Sequence, residues 1–290
     1  MRRGLVLALG LWGCGTTEPT PEPPAPFRGK ILFTSTRDGG PQIYSMNTNG
    51  SEVVRFPIST PGVAGGPAVS PDGDLLAYYQ AGDIWVVRPD GSEPRNLTSH
   101  PANDAEAAWS PDGSEIAFSS NRDSPDLLSA DIYVMSRAGE NVRRITTDPA
   151  SDASPTWSPD GRIAFTSLRG GNWEIYIVGA DGNGLQRLTD DPQAADTGPA
   201  WSPDGSMIVF RTWTVTGPGG QIILIDPAGT VLDTLPIPFS VSRVDWSRDG
   251  SMLAVEAGAG GIWTARPDGT GLVEITVGSG ATDRYPSWSP

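Results

Sequence analysis

The sequence predicts an all-β fold, a six-bladed β-propeller with four-stranded antiparallel blades. Three observations predict it: a Trp-Ser-Pro-Asp-Gly phrase that returns in six complete or altered copies, a constant order of strand and turn signals between the copies, and chain ends that complement each other. The serines of the six copies are 40 to 48 residues apart; they are Ser70, Ser110, Ser158, Ser202, Ser247 and Ser289. A repeat period in this range is typical of propeller blades.

Each period carries the same four strand signals in the same order. The first strand ends in Trp-Ser-Pro, and a tight turn follows in which Pro pre-sets φ and Gly takes a positive φ. A second strand of apolar-Ala-aromatic type comes next, for example Ile116-Ala117-Phe118, and then a third such as Ile132-Tyr133. A turn containing Gly leads to a short fourth strand that ends near Ile145-Thr146. We expect the tryptophans of the phrase to pack between neighbouring sheets; they are Trp109, Trp157, Trp201, Trp246 and Trp288.

The two ends of the repeat region predict how the ring closes. Ile31-Leu32-Phe33 has the pattern of a second strand, but no Trp-Ser-Pro strand precedes it. The sequence stops just after the Trp-Ser-Pro strand at 284–289. We therefore expect the last blade to combine three N-terminal strands from residues 31–57 with one C-terminal strand. Such closure removes two exposed sheet edges.

The N-terminal residues have the pattern of a secretory signal peptide. Arg2 and Arg3 precede an apolar stretch, residues 4–13, that is too short to span a bilayer. Leu11-Trp12-Gly13-Cys14 resembles a lipobox, which predicts lipidation of Cys14 after cleavage. An ordinary cleaved signal peptide and an unprocessed anchor are the alternatives.

A proline-rich segment separates this signal from the repeats. Such a segment is extended and builds no core, so it predicts a tether. The predicted organisation is a signal peptide at 1–13, a lipidation site and tether at 14–29, and a propeller at 30–290. We expect secretion across the inner membrane and attachment through the lipid alone at the outer membrane, facing the periplasm or the cell surface.

Composition argues against several classes of function. The formal net charge is −14 and no basic run occurs, which argues against a nucleic-acid partner. The chain has one histidine, His100, so a site with several histidine ligands to a metal is excluded, and His100 itself is expected in a loop. No Gly-x-Ser-x-Gly nucleophile motif is present. We expect no metal, no cofactor and no enzymatic activity, although a site built from carboxylates alone stays open.

The repeats resemble the WD-like repeats of the TolB-type six-bladed β-propeller family. The resemblance spans residues 30–290, and it lies in the phrases at 109–113, 157–161 and 201–205, in Ile132-Tyr133-Val134-Met135 and Arg187-Leu188-Thr189, and in the Ser-x-Arg segments at 35–37, 120–122 and 167–169. It implies a secreted or periplasmic protein that binds other proteins. The same repeat also forms the gating propeller of prolyl oligopeptidase-type peptidases and the body of oligogalacturonate lyases.

Chain direction assigns the variable loops to one face, around the channel mouth, where binding residues concentrate. This face carries four carboxylates, each five residues before the Trp of its blade: Asp104, Asp152, Asp196 and Asp283. Three arginines of the Ser-x-Arg loops lie on the same side: Arg37, Arg122 and Arg169. The carboxylates either hold a cation or a basic segment of a partner, or they bond backbone amides and pair with the arginines.

These observations give one hypothesis and one alternative. The hypothesis is a monomeric, non-enzymatic binding or scaffold propeller of the bacterial cell envelope, which binds an envelope protein through the loops at the channel mouth. The alternative is a carbohydrate-binding propeller, or one that processes glycans with carboxylates.

Overall fold

A computed structural model describes residues 26–58, 62–124, 128–214, 220–278 and 280–290. The predicted signal peptide, the lipidation site Cys14 and most of the tether lie outside the described residues. Within the described ranges the regular structure is all β-strand, and no helix there is long and apolar enough to cross a membrane.

The described residues form twenty-four strands. In chain order they are β1 (Lys30–Ser35), β2 (Gln42–Asn47), β3 (Val54–Arg55), β4 (Ala64–Val69), β5 (Leu76–Gln80), β6 (Asp83–Val87), β7 (Arg95–Asn96), β8 (Asp104–Trp109), β9 (Glu115–Ser120), β10 (Asp131–Ser136), β11 (Arg143–Arg144), β12 (Asp152–Trp157), β13 (Arg162–Ser167), β14 (Glu174–Gly179), β15 (Gln186–Arg187), β16 (Ala194–Trp201), β17 (Ile208–Thr214), β18 (Gln221–Ile225), β19 (Val231–Leu235), β20 (Val241–Trp246), β21 (Leu253–Ala257), β22 (Ile262–Ala265), β23 (Val273–Glu274) and β24 (Asp283–Trp288).

The strands form six four-stranded antiparallel sheets, which confirms the predicted propeller. Blade one is β4 to β7, blade two β8 to β11, blade three β12 to β15, blade four β16 to β19 and blade five β20 to β23. Blade six has the order β24, β1, β2, β3. The first strands of neighbouring blades contact one another around the ring and enclose the central channel.

Blade six closes the ring in the predicted way. β24 pairs antiparallel with β1, with Trp288 opposite Ile31 and Asp283 opposite Ser35. The amide of Lys30 donates a hydrogen bond to Ser289 Oγ at 2.8 Å. The two ends of the propeller sequence therefore share one sheet.

The Ser-Pro-Asp-Gly turn is a self-contained network of hydrogen bonds. In blade two, Asp112 Oδ1 accepts bonds from Ser110 Oγ at 2.6 Å and from the amide of Ser114 at 3.0 Å. Gly113 donates its amide to Ser110 O at 2.9 Å and has a φ of 69°. The amide of Glu115 donates to Ser110 Oγ at 2.9 Å. Ser110, Asp112 and Gly113 therefore each have a role in the turn that their chemistry explains.

The tryptophan of each phrase lies between two blades, as predicted. These five side chains are between 4% and 9% exposed. Trp109 packs with Ile84 and Leu97 of blade one and with Ile116 of its own blade. In three copies the indole Nε1 also donates to a carbonyl of the preceding blade: Trp109 to Ala68 at 3.0 Å, Trp157 to Ala108 at 3.1 Å and Trp246 to Ala200 at 3.2 Å. These three tryptophans therefore bond the first strand of their own blade to the first strand of the preceding one.

Candidate functional site

The central channel is a cavity of about 860 Å³. Its wall is formed mainly by the six first strands, whose Gly, Ala and Pro residues leave it open, together with the edges of the five tryptophans. The loops predicted to bind surround one end of this channel.

Every first strand has an unpaired edge that faces the channel. In five blades a residue of this strand has a positive φ: Gly66 (60°), Glu106 (57°), Ser154 (52°), Gly198 (64°) and Tyr285 (54°). Each of these residues lies at a shift in the strand register, which marks a β-bulge. Proline follows directly in four of the strands: Pro67, Pro155, Pro199 and Pro286. Bulges and prolines prevent an edge from pairing with a further strand, so the wall presents side chains to a ligand.

Arg122 and Asp104 form a buried ion pair at the channel mouth. Arg122 Nη2 donates to both Asp104 oxygens at 3.0 Å, and Arg122 Nε donates to Ser120 Oγ at 3.0 Å. The guanidinium lies 5.1 Å from the ring centre of Phe118 and 5.0 Å from that of Tyr133. Asp104 is fully buried and the Arg122 side chain is 13% exposed. Arg122 therefore connects the start of β8, the loop after β9 and the rings of Phe118 and Tyr133.

The same arrangement recurs in two more blades. Arg37 contacts Asp283 at 3.0 Å, and Arg169 contacts Asp152 at 2.7 Å. Each arginine again bonds the serine two residues before it and lies over a Phe and a Tyr ring. Both carboxylates are fully buried. Two interpretations of the four aspartates were open. Asp104, Asp152 and Asp283 are buried and pair with arginines, so they do not form an exposed acidic ring.

Asp196 is the member of the set without an arginine. Thr214 stands where the other loops have Arg, and the hydroxyl groups nearest to Asp196 are those of Thr212 and Thr189, which favour its charged form. Its side chain is 4% exposed. Burial, with smaller contributions from the nearby negative charges of Glu174 and Asp191, raises the pKa of Asp196 to about 6.

A second group of charges, which the sequence reasoning missed, lies on blades four to six. Glu256 is 5% exposed, accepts the amide of Tyr285 at 2.9 Å, and lies opposite Arg243 in the strand register. Arg284 Nε lies 3.9 Å from Glu256 Oε1, and the Arg243 guanidinium lies 5.1 Å from the centre of the Tyr285 ring. Because these residues do not recur from blade to blade, the repeat pattern gave no signal for them. The only sign of them in the sequence was that these positions depart from the repeat pattern.

Glu106 lies on blade two, across the ring from blade five. Its carboxylate accepts the amide of Ser154 at 2.7 Å, Ser154 Oγ at 2.8 Å and Ser119 Oγ at 3.1 Å. The hydrogen bonds of this carboxylate therefore join blade two to blade three on the channel wall.

His100 lies in the predicted kind of position, an exposed loop, where its Nδ1 accepts the amide of Ala102 at 3.1 Å. Across the described parts of the chain, no three His, Cys, Asp or Glu side chains are grouped so that they could hold a metal ion.

Comparisons with known proteins agree with this architecture. The model of the TolB beta propeller domain matches residues 57–161, and that of the Tricorn protease N-terminal beta propeller domain matches residues 127–267. The Tol-Pal system protein TolB of Anaeromyxobacter dehalogenans (strain 2CP-C) is 36% identical over 28% of this chain and 19% of its own length. A TolB homolog of Chlorobium luteolum is 29% identical over 33% of this chain and 32% of its own length.

Solved structures share the fold over a longer stretch. TolB from Acinetobacter baumannii has a TM-score of 0.71 at 22% identity, over 92% of this chain and 68% of its own. An oligogalacturonate lyase in complex with manganese has a TM-score of 0.60 at 18% identity, over 82% of this chain and 71% of its own. The matched stretches span only between 19% and 32% of the two curated relatives. The repeats, the ring of six blades and these matches together identify the chain as a TolB-type six-bladed β-propeller.

Proposed function

We propose that the chain is a non-enzymatic binding or scaffold propeller of the bacterial cell envelope, which binds a protein partner through the loop face at the channel mouth. The observation that carries the proposal is the set of buried ion pairs at this mouth. Three arginine–aspartate pairs hold its loops in place, and a binding surface that is ordered beforehand loses less entropy when a partner docks. The similarity to proteins named for the Tol-Pal system supports the envelope setting.

The seven residues predicted at this face have two different roles in the proposal. The buried carboxylates hold the arginines in place; they belong to Asp104, Asp152 and Asp283. The arginine side chains remain between 13% and 21% exposed; they are Arg37, Arg122 and Arg169. Asp196 is buried at the equivalent position of blade four. A partner would therefore meet the arginines and the exposed apolar side chains around the channel.

Exposed apolar residues mark the contact surface on this face. Val63, Trp213 and Val277 are 51%, 49% and 73% exposed, and all three lie in or next to loops on the mouth side. Exposed apolar groups with a polar rim are typical of protein-binding sites.

Capture of partners from the envelope of the source bacterium tests this function. The full chain would be compared with a mouth variant (Val63→Lys, Trp213→Lys) and with a matched variant of the opposite face (Val142→Lys, Leu185→Lys), since all four residues are exposed. We expect cross-linking to capture a protein with the parent and the opposite-face variant, and much less of it with the mouth variant. Equal capture by all three forms would refute the proposed face. Capture by none of them would refute the binding function.

The N-terminal residues support the further proposal of a lipid anchor at Cys14. In a bacterium that expresses the full chain, labelled palmitate should enter the parent protein, and the Cys14→Ala variant should remain unlabelled. Labelling of both forms, or of neither, would contradict lipidation at this position.

The structural similarity to oligogalacturonate lyases favours the glycan alternative as a second candidate. Asp196 is the residue to test, since a carboxyl group with a pKa of about 6 can act as an acid near neutral pH. Turnover of polygalacturonate or of an envelope glycan by the parent, lost in Asp196→Asn, would establish this alternative in place of the binding module.

A further inference from the structure

Three arginines on consecutive blades surround one carboxylate beside the channel mouth. Arg211 of blade four, Arg243 of blade five and Arg284 of blade six all act electrostatically on Glu256. Arg284 contacts it loosely at 3.9 Å and has a side chain that is 53% exposed. This part of the mouth therefore carries an excess of two positive charges in a chain whose net charge is −14.

The charges deeper in the channel do not remove this excess. Asp245 and Arg248 of blade five both line the channel, and the charge of Arg248 offsets that of Asp245. Asp245 Oδ2 accepts the amide of Trp288 at 3.2 Å, and Arg248 Nη2 donates to Val69 O at 3.0 Å. Glu106, the remaining charged residue of the wall, is on the opposite side and is bonded within blades two and three.

These arginines differ in their contacts from Arg37, Arg122 and Arg169. Each of those three donates to a fully buried aspartate. Arg211 donates instead to a hydroxyl, Thr197 Oγ1, at 2.8 Å, and Arg243 lies against the Tyr285 ring. Within the described residues, no carboxylate lies within salt-bridge distance of either guanidinium. The donors of Arg243, and the donor atom of Arg211 that Thr197 does not engage, are therefore available to a ligand.

Tyr285 is held beside them in an unfavourable backbone conformation. It has a φ of 54°, at the bulge position where blades one and four have glycine and blades two and three have Glu106 (57°) and Ser154 (52°), and the residue lines the channel with 39% of its surface exposed. A non-glycine residue in this region costs about 1–2 kcal/mol. The bulge forms without an aromatic side chain at this position, because Gly66 and Gly198 occupy it in blades one and four. A strained, exposed aromatic residue next to two arginines is typical of a binding site.

We propose that this part of the channel mouth, formed by Arg243, Arg284 and Tyr285, binds a carboxylate carried by a peptide segment of the partner protein. The fork of an arginine matches a carboxylate or a phosphate in geometry. The overall charge of −14 repels ligands with several phosphates, so a ligand with a single carboxylate is favoured. The apolar channel wall suits the remainder of such a segment. This inference rests on the proposed function.

Calorimetric titration of the full chain tests the site. The probe is the blocked tetrapeptide acetyl-Gly-Trp-Glu-Gly-amide, and its control has Gln in place of Glu. We expect the Glu peptide to bind at least about tenfold more tightly, equivalent to about 1.4 kcal/mol. Equal affinities, or no binding of the Glu peptide up to about 10 mM, would overturn the proposal.

Variants locate the site on the protein. Arg243→Gln and Arg284→Gln should each weaken binding about tenfold. Arg266→Gln, which removes the same charge from an exposed turn outside the channel wall, should not weaken it. Tyr285→Gly should weaken binding without lowering the melting temperature, because glycine tolerates the positive φ. An equal loss of affinity in Arg266→Gln would mean a general effect of charge and would overturn the site.

Two further measurements separate the remaining explanations. Succinate alone should bind more weakly than the peptide; if succinate binds and the peptide does not, a small free carboxylate is the ligand and the peptide form of the proposal fails. Capture of the envelope partner should decrease in Arg243→Gln/Arg284→Gln. If that variant captures the partner as well as the parent does, the proposed function stands and this inference falls.

Discussion

At the scale of the residue, an aspartate side chain has opposite effects on the stability of the fold at two positions of the channel mouth. Asp104 is buried with an arginine on both of its oxygens, whereas Asp196 is buried with hydroxyl groups. Breaking a buried ion pair leaves an uncompensated charge and costs several kcal/mol. Removing a buried charge that has no counter-ion relieves a penalty. The two positions therefore predict stability changes of opposite sign.

The exchange of each aspartate for asparagine tests this difference. The pKa of Asp196 is raised in the fold to about 6 from 3.8, so its protonated form is favoured and stability decreases as pH rises through that range. We expect Asp196→Asn to stabilise the protein by about 1–3 kcal/mol at pH 7 and to have little effect near pH 4. Asp104→Asn should destabilise it by about 3–5 kcal/mol at pH 7. Urea unfolding at the two pH values checks both, and a destabilised Asp196→Asn protein at pH 7 would contradict the assignment.

The interblade tryptophans give a second prediction at this scale. Trp157 is 9% exposed and bonds Ala108 O of the preceding blade. Trp157→Ala should cost about 3–5 kcal/mol of unfolding free energy, as for other large buried side chains. The matched control is Trp213→Ala, because that residue is 49% exposed and should cost less than about 1 kcal/mol. Similar losses in the two variants would contradict the packing between blades.

At the scale of the element, the turn between the third and fourth strands has a role beyond that of a hairpin. Gly139 has a φ of 86°, and a Cβ at this position would lie 2.8 Å from Leu97 O of the preceding blade. A Cβ added at Gly50 or at Gly91 would lie even closer to Ile275 O or to Pro57 O of the preceding blade. The glycine of this turn is thus needed both for its φ and for the close approach of two blades.

A pair of glycines separates these two requirements. Gly161 has a φ of 85°, but a Cβ there would have no heavy atom within 4 Å. Gly161→Ala should therefore cost only the backbone strain, about 1–2 kcal/mol. Gly139→Ala should cost at least about 1 kcal/mol more, since backbone must shift as well. Urea unfolding of the two variants measures the difference, and equal losses would exclude the close approach as a cause.

At the scale of the whole molecule, stability depends on the closure of the ring. β24 and β1 hold the chain ends together, and the amide of Gly29 donates to Pro290 O at 2.7 Å. We expect deletion of residues 284–290 to lower the melting temperature strongly, because it exposes the edge of β1 and the sides of two blades. A circular permutant that joins Pro290 to Arg28 by a short linker and opens the turn at Asp181-Gly182 should melt near the parent. An unchanged melting temperature after the deletion would contradict closure.

The sequence by itself determined the repeat, the number of blades, the turns and the closure of the ring. These features follow from local rules that recur about every 45 residues. Ser110, Asp112 and Gly113 form a turn, and the equivalent residues form the same turn wherever the phrase returns. It also placed Asp104, Asp152, Asp196 and Asp283 at the mouth and left open whether they pair with the arginines.

Only the tertiary structure decided which charges meet. Asp104 pairs with Arg122 because a strand entry and a loop lie at the same edge of a sheet, whereas Asp196, at the equivalent position, has no arginine partner in the described part of the chain. Arg211, Arg243 and Arg284 come together around Glu256 from three blades, and none of them belongs to the repeat. Secondary structure is set by local backbone preferences and the hydrophobic period, but the ionisation and pairing of a side chain depend on burial and on neighbours that are distant in sequence.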